Sequence, residues 1–383
     1  MSRRIYLDAH ATTPVDAEVV AAMLPFMNGF YGNPAGGQHI FGREAAAAVA
    51  HARAQVAGLI GAGSCEIIFT SGATESNNMA IQGSVIPERA ASCRVVTAAS
   101  EHISVLDPVR ALSRLGADIE TLPVDRRGRV NPQVLKAALR EPTTLVSLMA
   151  ANNEVGTLHP IATLAAMARA QNALVHCDAA QAVGHIPVDV KRWDVDFLSL
   201  SAHKFYGPKG VGALYVRGGV AGSSLRPVLH GGGHEDGLRA GTLNVPGIVG
   251  LGEACRLAAG RLKDDGRRVA RLRDQLQRKL LEMIHGATVN GDQEARLPHN
   301  LNISLPGVDG RALAEALDGI AISTGAACTA AQEKPSHVLL AMGLSPEQAL
   351  ESLRFGLTRH TTAAEVDEAA DAVVRAADRL RIR

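Results

Sequence analysis

The sequence predicts an α/β protein, with a largely parallel seven-stranded sheet flanked by helices and a smaller α/β lobe behind it. Three observations carry this. Short apolar or β-branched runs (EIIFT, RVVTAAS, DIETLPV, TTLVSLMA, ALVHCDAA, DFLSLS) recur from Glu66 to Ser201, and amphipathic helix-length segments such as VLDPVRALSRLG and PIATLAAMARAQ lie between most of them. VGALYVR follows DFLSLS after a GPKG-containing loop too short for a helical crossover, so this strand is expected to run antiparallel. From Val249 to about Ile284 runs a long charged helical stretch, with a break expected near Gly266. A second series follows it: NLNISLPG, GRALAEALDG, IAISTGAAC, PSHVLLAMGL, SLRFGLTR and AAEVDEAADAVVRAADRL. The expected organisation is an N-terminal segment 1–15 packing with the small domain, a large domain 16–250 and a small domain 251–383.

Composition narrows the classes. At 383 residues the chain is long enough for two domains and a sizeable core. A hydrophobic content of 46%, a charged content of 20% and a formal charge of +1 give no basic excess for nucleic acid or an acidic membrane. MSRRIYLDAHATTP lacks the apolar stretch of a signal peptide, and no apolar run reaches membrane-spanning length. Cys65, Cys93, Cys177, Cys255 and Cys328 are odd in number, scattered and form no C-x-x-C, which argues against a disulfide framework or a zinc ribbon. A reducing cytoplasm is the expected compartment.

In a parallel sheet, ligands collect at the carboxyl ends of strands. After EIIFT, the segment SGATESNN could open a helix at Ser71, Gly72, Ala73 and Thr74 whose free N–H groups would hold a phosphate. ALVHCDAAQ puts Asp178 and Gln181 just past a strand, and DFLSLSAHK does the same for Ser201, His203 and Lys204. Separately, each is explained by a helix cap or a surface ion pair. Together, a lysine, an acid and a phosphate cup are what pyridoxal phosphate needs: an amine to condense with its aldehyde, a carboxylate for its ring nitrogen and a helix start for its phosphate. The nucleotide phosphate loop, the dinucleotide turn, the hydrolase elbow and the zincin pair all lack their spacing. HGGGHED, His230 to Asp236, has no third ligand spaced to complete a metal site, and no metal is expected.

At these residues a family resemblance becomes specific. YLDAHATTPV, YGNPAGGQHIFG, FTSGATESNNMAI, SEHISVL, NNEVGT, HCDAAQAVG, LSAHKFYGPKGVGALYVR, HGGGHEDGLRAGT, STGAACTA and LRFGLTR run in order over essentially the whole chain. In these the chain resembles the cysteine desulfurases of the NifS/IscS group, among the fold-type-I, class-V aminotransferase family of pyridoxal-phosphate enzymes. SAHK with GPKGVGALY and RAGT carries most of the specificity; GATE alone would not.

The resemblance implies that Lys204 is the cofactor lysine, Asp178 the partner of the ring nitrogen and Gln181 the partner of the ring's phenolic oxygen. His102 would stack on the ring and aid proton transfer. Ala73, Thr74, Ser201 and His203 would hold the phosphate, with Thr242 contributed by the second subunit of a homodimer. Asn153 and Arg354 would bind the substrate carboxylate; a strand-end ion pair is the alternative for Arg354. Cys328, in the small-residue run STGAACTAA, would be the thiolate that takes sulfur from L-cysteine as a persulfide, leaving alanine and passing the sulfur to an acceptor protein. Iron–sulfur assembly, tRNA thiolation and DNA phosphorothioation are the acceptor routes served by similar enzymes. The chain stops at Arg383 without the C-terminal extension that IscS-type members use to dock their scaffold protein, so that partnership is not expected. Around Cys328 there are fewer serines than relatives often carry, although the spacing to the Pro-Ser pair is that of the long-loop group. A selenocysteine lyase or another aminotransferase-like enzyme would share Lys204 and Asp178 without requiring Cys328. A non-catalytic protein on this fold would tolerate loss of either.

Overall fold

The computed structural model describes residues 4–85, 87–324 and 334–381. A two-residue strand, β1 (Ile5–Tyr6), precedes seven strands that form one sheet: β2 (Ile67–Thr70), β3 (Arg94–Ala98), β4 (Asp118–Leu122), β5 (Leu145–Met149), β6 (Leu174–Asp178), β7 (Phe197–Ser201) and β8 (Gly212–Val216). Their spatial order is β2-β8-β7-β6-β5-β3-β4. β8 alone runs against its neighbours, pairing antiparallel with both β2 and β7. Ten residues separate β7 from β8, fewer than a crossover helix needs, so the chain must turn straight back.

Side chains alternate across this sheet with period two, and each face feeds a different core. Ile67, Phe69, Val96, Val146, Leu148, Val175, Cys177, Leu198 and Leu200 enter the larger core, under the helix Ile40–Ile60 and the start of the helix Val245–Met283. Ile68, Val95, Leu145, Phe197, Leu214 and Val216 enter the second core, with Met79 and Ile81 of the helix Ala73–Gly83 and Val105 and Val109 of the helix Ile103–Arg114. On this second face the apolar row gives way, one step nearer the carboxyl ends, to a buried polar row. His176 bonds the hydroxyls of Ser147 (2.8 Å) and Ser199 (3.0 Å), and Thr97 donates to the Ser147 carbonyl (3.0 Å). One further step along β6 and β7 lie Asp178 and Ser201.

The small lobe is a three-stranded antiparallel sheet of β9 (Thr288–Asn290), β10 (Asn300–Ser304) and, after the short β11 (Ile320–Ala321), β12 (Ser352–Gly356), in the order β12-β10-β9. Its core takes Leu301, Ile303, Leu353 and Phe355 from the sheet, Val366 and Val373 from the helix Ala363–Arg381, and Ile5 and Leu7 from the N-terminal segment. β1 pairs in parallel with β11.

The break expected at Gly266 is absent: Val245–Met283 is one helix of 39 residues, and residue 250 lies inside it. Leu251, Cys255 and Leu257 bury in the first core, whereas Val269, Leu272, Leu276 and Leu280 bury in the small-lobe core. Helical glycine costs about 1 kcal/mol, and burying each of these leucines returns roughly 2 kcal/mol, so packing on both sides overrides the local weakness. Among the described residues no helix is long and apolar enough to cross a membrane. A Cβ built at Gly266 meets nothing within 4 Å. Gly266→Ala should therefore raise unfolding stability by about 0.5–1 kcal/mol, seen as a higher urea midpoint with an unchanged m-value.

Candidate active site

A cavity of about 470 Å³ opens at the carboxyl ends of β2, β5, β6 and β7, and ten of the twelve residues singled out from the sequence line it: Ala73, Thr74, His102, Asn153, Asp178, Gln181, Ser201, His203, Lys204 and Arg354. At one end the helix Ala73–Gly83 starts without a side-chain cap on Gly72, which leaves its first amides for a ligand. Glu75 turns away to the Ser71 amide (2.6 Å) and Arg239 (2.7 Å). Ser201 and His203 complete this end; His203 Nδ1 meets Thr12 Oγ1 (3.1 Å). Burial, with Lys204 and Lys209 nearby, lowers the His203 pKa to about 4, and a bound phosphate would push it back up.

Asp178 ends β6 almost fully buried. Its Oδ1 accepts from the Ala180 amide (2.9 Å) and its Oδ2 from Asn77 Nδ2 (2.8 Å). Asn77 also donates to Ser104 Oγ (2.8 Å), so the Ser104 hydroxyl donates in turn to His102 Nδ1 (2.8 Å), which accepts the Ser104 amide as well (3.1 Å). His102 Nδ1 is thus an acceptor. Its ring is neutral with the proton on Nε2, in keeping with a pKa that burial lowers against the pull of Asp178. Asn77 and Ser104 were not singled out from the sequence. The second Asn of SGATESNN's pair is half-buried, whereas the first falls on the fully buried side of the helix, and helical spacing from Ala73 was the signal that could have found it.

Lys204 follows β7 on a single 3₁₀ turn, Ala202–Lys204, and donates from Nζ to the carbonyls of His10 (2.6 Å) and Ala11 (3.1 Å). Two residues on, Tyr206 sits at φ +70°; its amide donates to Thr13 Oγ1 (2.7 Å) and the Arg359 guanidinium lies 3.6 Å from its ring centre. Opposite the lysine, Arg354 of β12 donates to the Asn153 carbonyl (2.9 Å) and to Asp8 Oδ1 (3.0 Å). An ion pair, made from the middle of β12 and not from a strand end, and a place in the cavity therefore coexist. Asn153 Oδ1 and Arg354 Nε are buried without a hydrogen-bond partner among the described residues, which leaves polar capacity for a ligand.

Two expected residues stand apart. Thr242 is exposed and does not line its own chain's cavity. Cys328 lies outside the described residues. Of the other cysteines, Cys177 and Cys255 are buried and burial pushes their thiols up, Cys93 is half-buried and Cys65 exposed. In the HGGGHED loop Glu235 is engaged structurally, pairing with Arg53 (2.6 Å) and accepting the Phe69 amide (2.7 Å). No group of three His, Cys, Asp or Glu that could hold a metal ion occurs among the described residues.

The family described as Aminotransferase class-V matches residues 5–369. The chain is 50% identical over 365 residues to "Cysteine desulfurase IscS" of Anaeromyxobacter dehalogenans (strain 2CP-C), covering 95% of this chain and 90% of that protein. Among solved structures it resembles a "NifS-like protein" with a TM-score of 0.90 and 38% identity, covering 97% of this chain and 98% of that one. It also resembles "SspA in complex with cysteine", with a TM-score of 0.82 and 34% identity over 94% of this chain and all of that one.

The polar row beneath the cavity makes a prediction about pH. Burial lowers the His176 pKa from 6.5 to about 4. Below about 6.5 the unfolded chain binds a proton that the folded chain refuses, so the stability held by this neutral histidine is full above 6.5 and is lost as pH falls towards 4. His176→Gln should lose roughly 1–2 kcal/mol less stability between pH 7 and pH 5 than the unaltered protein, measured by urea unfolding at the two pH values.

Proposed function

The chain belongs to the class-V aminotransferase family, and for the reaction it carries out as a cysteine desulfurase, the pyridoxal-phosphate-dependent removal of sulfur from L-cysteine to give L-alanine, we propose the following division of labour. The donor set fits the cofactor: an uncapped helix start with Ser201 and His203 for a phosphate, a buried carboxylate on β6, and a lysine amine one strand away in the same cavity. That shared cavity is the observation carrying the reading. Bound there, pyridoxal phosphate supplies an electron sink that weakens first the Cα–H and then the C–S bond of cysteine.

The protein's residues do the rest. Asp178, fixed by Asn77, would keep a proton on the ring nitrogen, and Gln181 would bond the phenolic oxygen. His102, with its proton on Nε2, would stack on the ring. Ala73, Thr74, Ser201 and His203 would hold the phosphate, and Asn153 and Arg354 would take the substrate carboxylate, with Lys204 in the same cavity. Lys204 Nζ takes the Cα proton and returns it later in turnover. Cys328 Sγ, as thiolate, attacks the substrate sulfur: an S–S bond forms, the C–S bond breaks, and its electron pair stays with the carbon skeleton that is reprotonated to alanine. An acceptor protein's thiol then takes the sulfur from the Cys328 persulfide.

We infer a homodimer in which Thr242 completes the neighbour's phosphate site. Its exposure outside its own cavity supports this, as do the exposed apolar side chains Leu24, Met27, Phe30, Tyr31, Ile40 and Phe41. A cytoplasmic location is supported by the four described cysteines, all free thiols.

Lys204→Ala should abolish the absorption band of the lysine-linked cofactor and all alanine formation. Cys328→Ser should keep that band but form no persulfide, read by mass spectrometry after incubation with L-cysteine. Alanine and sulfide production at the full rate by Cys328→Ser would overturn the nucleophile assignment.

A further inference from the structure

The sequence motifs leave His10 unassigned, yet it touches both sides of the site. Its carbonyl accepts Lys204 Nζ (2.6 Å) and Gln181 Nε2 (3.1 Å), while its ring Nδ1 lies 3.0 Å from Gln181 Oε1 and its Nε2 lies 3.0 Å from Asn300 Nδ2. The donor and acceptor sense of this chain follows from its two ends. Asn300 Nδ2 donates to the Glu154 carbonyl (3.0 Å), which can only accept, so it is the amide nitrogen that faces His10 and His10 Nε2 must accept. His10 Nδ1 then carries the proton and donates to Gln181 Oε1. Gln181 Nε2 gives one hydrogen to the His10 carbonyl and keeps the other for the cavity it lines. Burial holds the His10 ring neutral, with the Arg354 charge adding to the effect, as this sense requires.

The ring is also clamped in place. It stacks on His299 at 4.4 Å between centroids, and His299 stacks on His185 at 4.0 Å, whose Nε2 donates to the Lys204 carbonyl (2.8 Å). Glycines close the remaining space: a Cβ at Gly156 would fall 2.5 Å from Asn300 side-chain atoms, and one at Gly356 would fall 2.8 Å from His10 Cδ2.

We propose that His10, backed by Asn300, is a positioning residue that fixes which end of the Gln181 amide faces the cofactor, presenting N–H rather than C=O to the ring's phenolic oxygen. The proposal rests on the reading that this cavity binds pyridoxal phosphate with Gln181 at that oxygen.

The test compares cofactor binding to the apoprotein by fluorescence titration, together with the absorption maximum of the bound cofactor and its pH midpoint. His10→Leu, which keeps the backbone carbonyl but removes the ring donor, should bind pyridoxal phosphate about tenfold more weakly and move the midpoint. His10→Asn, whose amide again donates from the δ position, should restore both to within about twofold. Gln181→Glu, which presents oxygen in place of the amide nitrogen, should move the midpoint in the same direction as His10→Leu and keeps the test available if that variant does not fold. Wild-type affinity and midpoint in His10→Leu, failure of His10→Asn to restore them, or an unmoved midpoint in Gln181→Glu would each overturn the proposal. Failure of the unaltered protein to take up pyridoxal phosphate would instead overturn the cofactor reading itself.

Discussion

The Lys204 side chain is held against two carbonyls of a segment that lies almost two hundred residues away in sequence, and the site depends on that crossing. His10 and Ala11 reach the lysine because the chain on either side of them is fastened to opposite lobes. Upstream, Ile5 and Leu7 bury in the small-lobe core and the Asp8 backbone bridges to Gly356. Downstream, the Thr13 amide donates to the His203 carbonyl (2.9 Å), and Thr13 Oγ1 both donates to that carbonyl (3.0 Å) and accepts the Tyr206 amide. A half-buried amine needs acceptors, and the folding of both cores brings these two to it. The lysine's position is therefore a tertiary property, which the strand β7 prepares without completing.

Charge is managed at the site by keeping most groups neutral. Glu101, fully buried beside the cavity wall, has its carboxyl pushed well above the usual range by burial, with Asp178 adding to the effect, while its Oε1 accepts the Met149 amide (2.8 Å). That shift favours the neutral carboxyl, which adds no second negative charge next to Asp178. His10, His102, His176 and His185 are likewise held neutral by burial. Each neutral imidazole then has one donor and one acceptor nitrogen, and neighbouring hydroxyls and amides decide which is which. Buried hydrogen-bond chains with one permitted sense orient the groups at their ends more sharply than isolated bonds do.

Much of this was legible beforehand. Six strands of the large sheet are mainly apolar runs because both faces are covered, the edge strand β4 being largely open to solvent, and the antiparallel β8 followed from loop length alone. Strand ends marked Asp178 and Lys204 because polar residues there break an otherwise apolar pattern. What escaped is of two kinds. β1 and β9 are too short to show a period, and the unbroken helix through Gly266 reflects packing on two cores, which local propensity does not contain. Asn77, Ser104, His10 and Asn300 escaped because each is an ordinary polar residue whose role arises from a partner distant in sequence. Asn77 meets Asp178 across 101 positions and Asn300 meets His10 across 290. The small-residue run holding Cys328 could be weighed only by composition and resemblance.

The long helix gives the two lobes a common frame. At 1.5 Å per residue it extends about 58 Å, and its first half packs closely on the helix Ile40–Ile60, where a Cβ at Gly252 would lie 2.4 Å from Gln55 Oε1 and 2.7 Å from Ala52. Its second half carries the small-lobe sheet through Leu272, Leu276 and Leu280. Arg354 stands on that sheet and Lys204 just past β7 of the other, so the spacing between these two side chains is set by this helix and the N-terminal crossing. Because both connections are packed into cores, the spacing cannot relax by bending at Gly266, where the helix continues without a break. A misplacement of about 1 Å between reacting groups can cost about a hundredfold in rate, and two independent ties between the lobes hold such a spacing better than either alone.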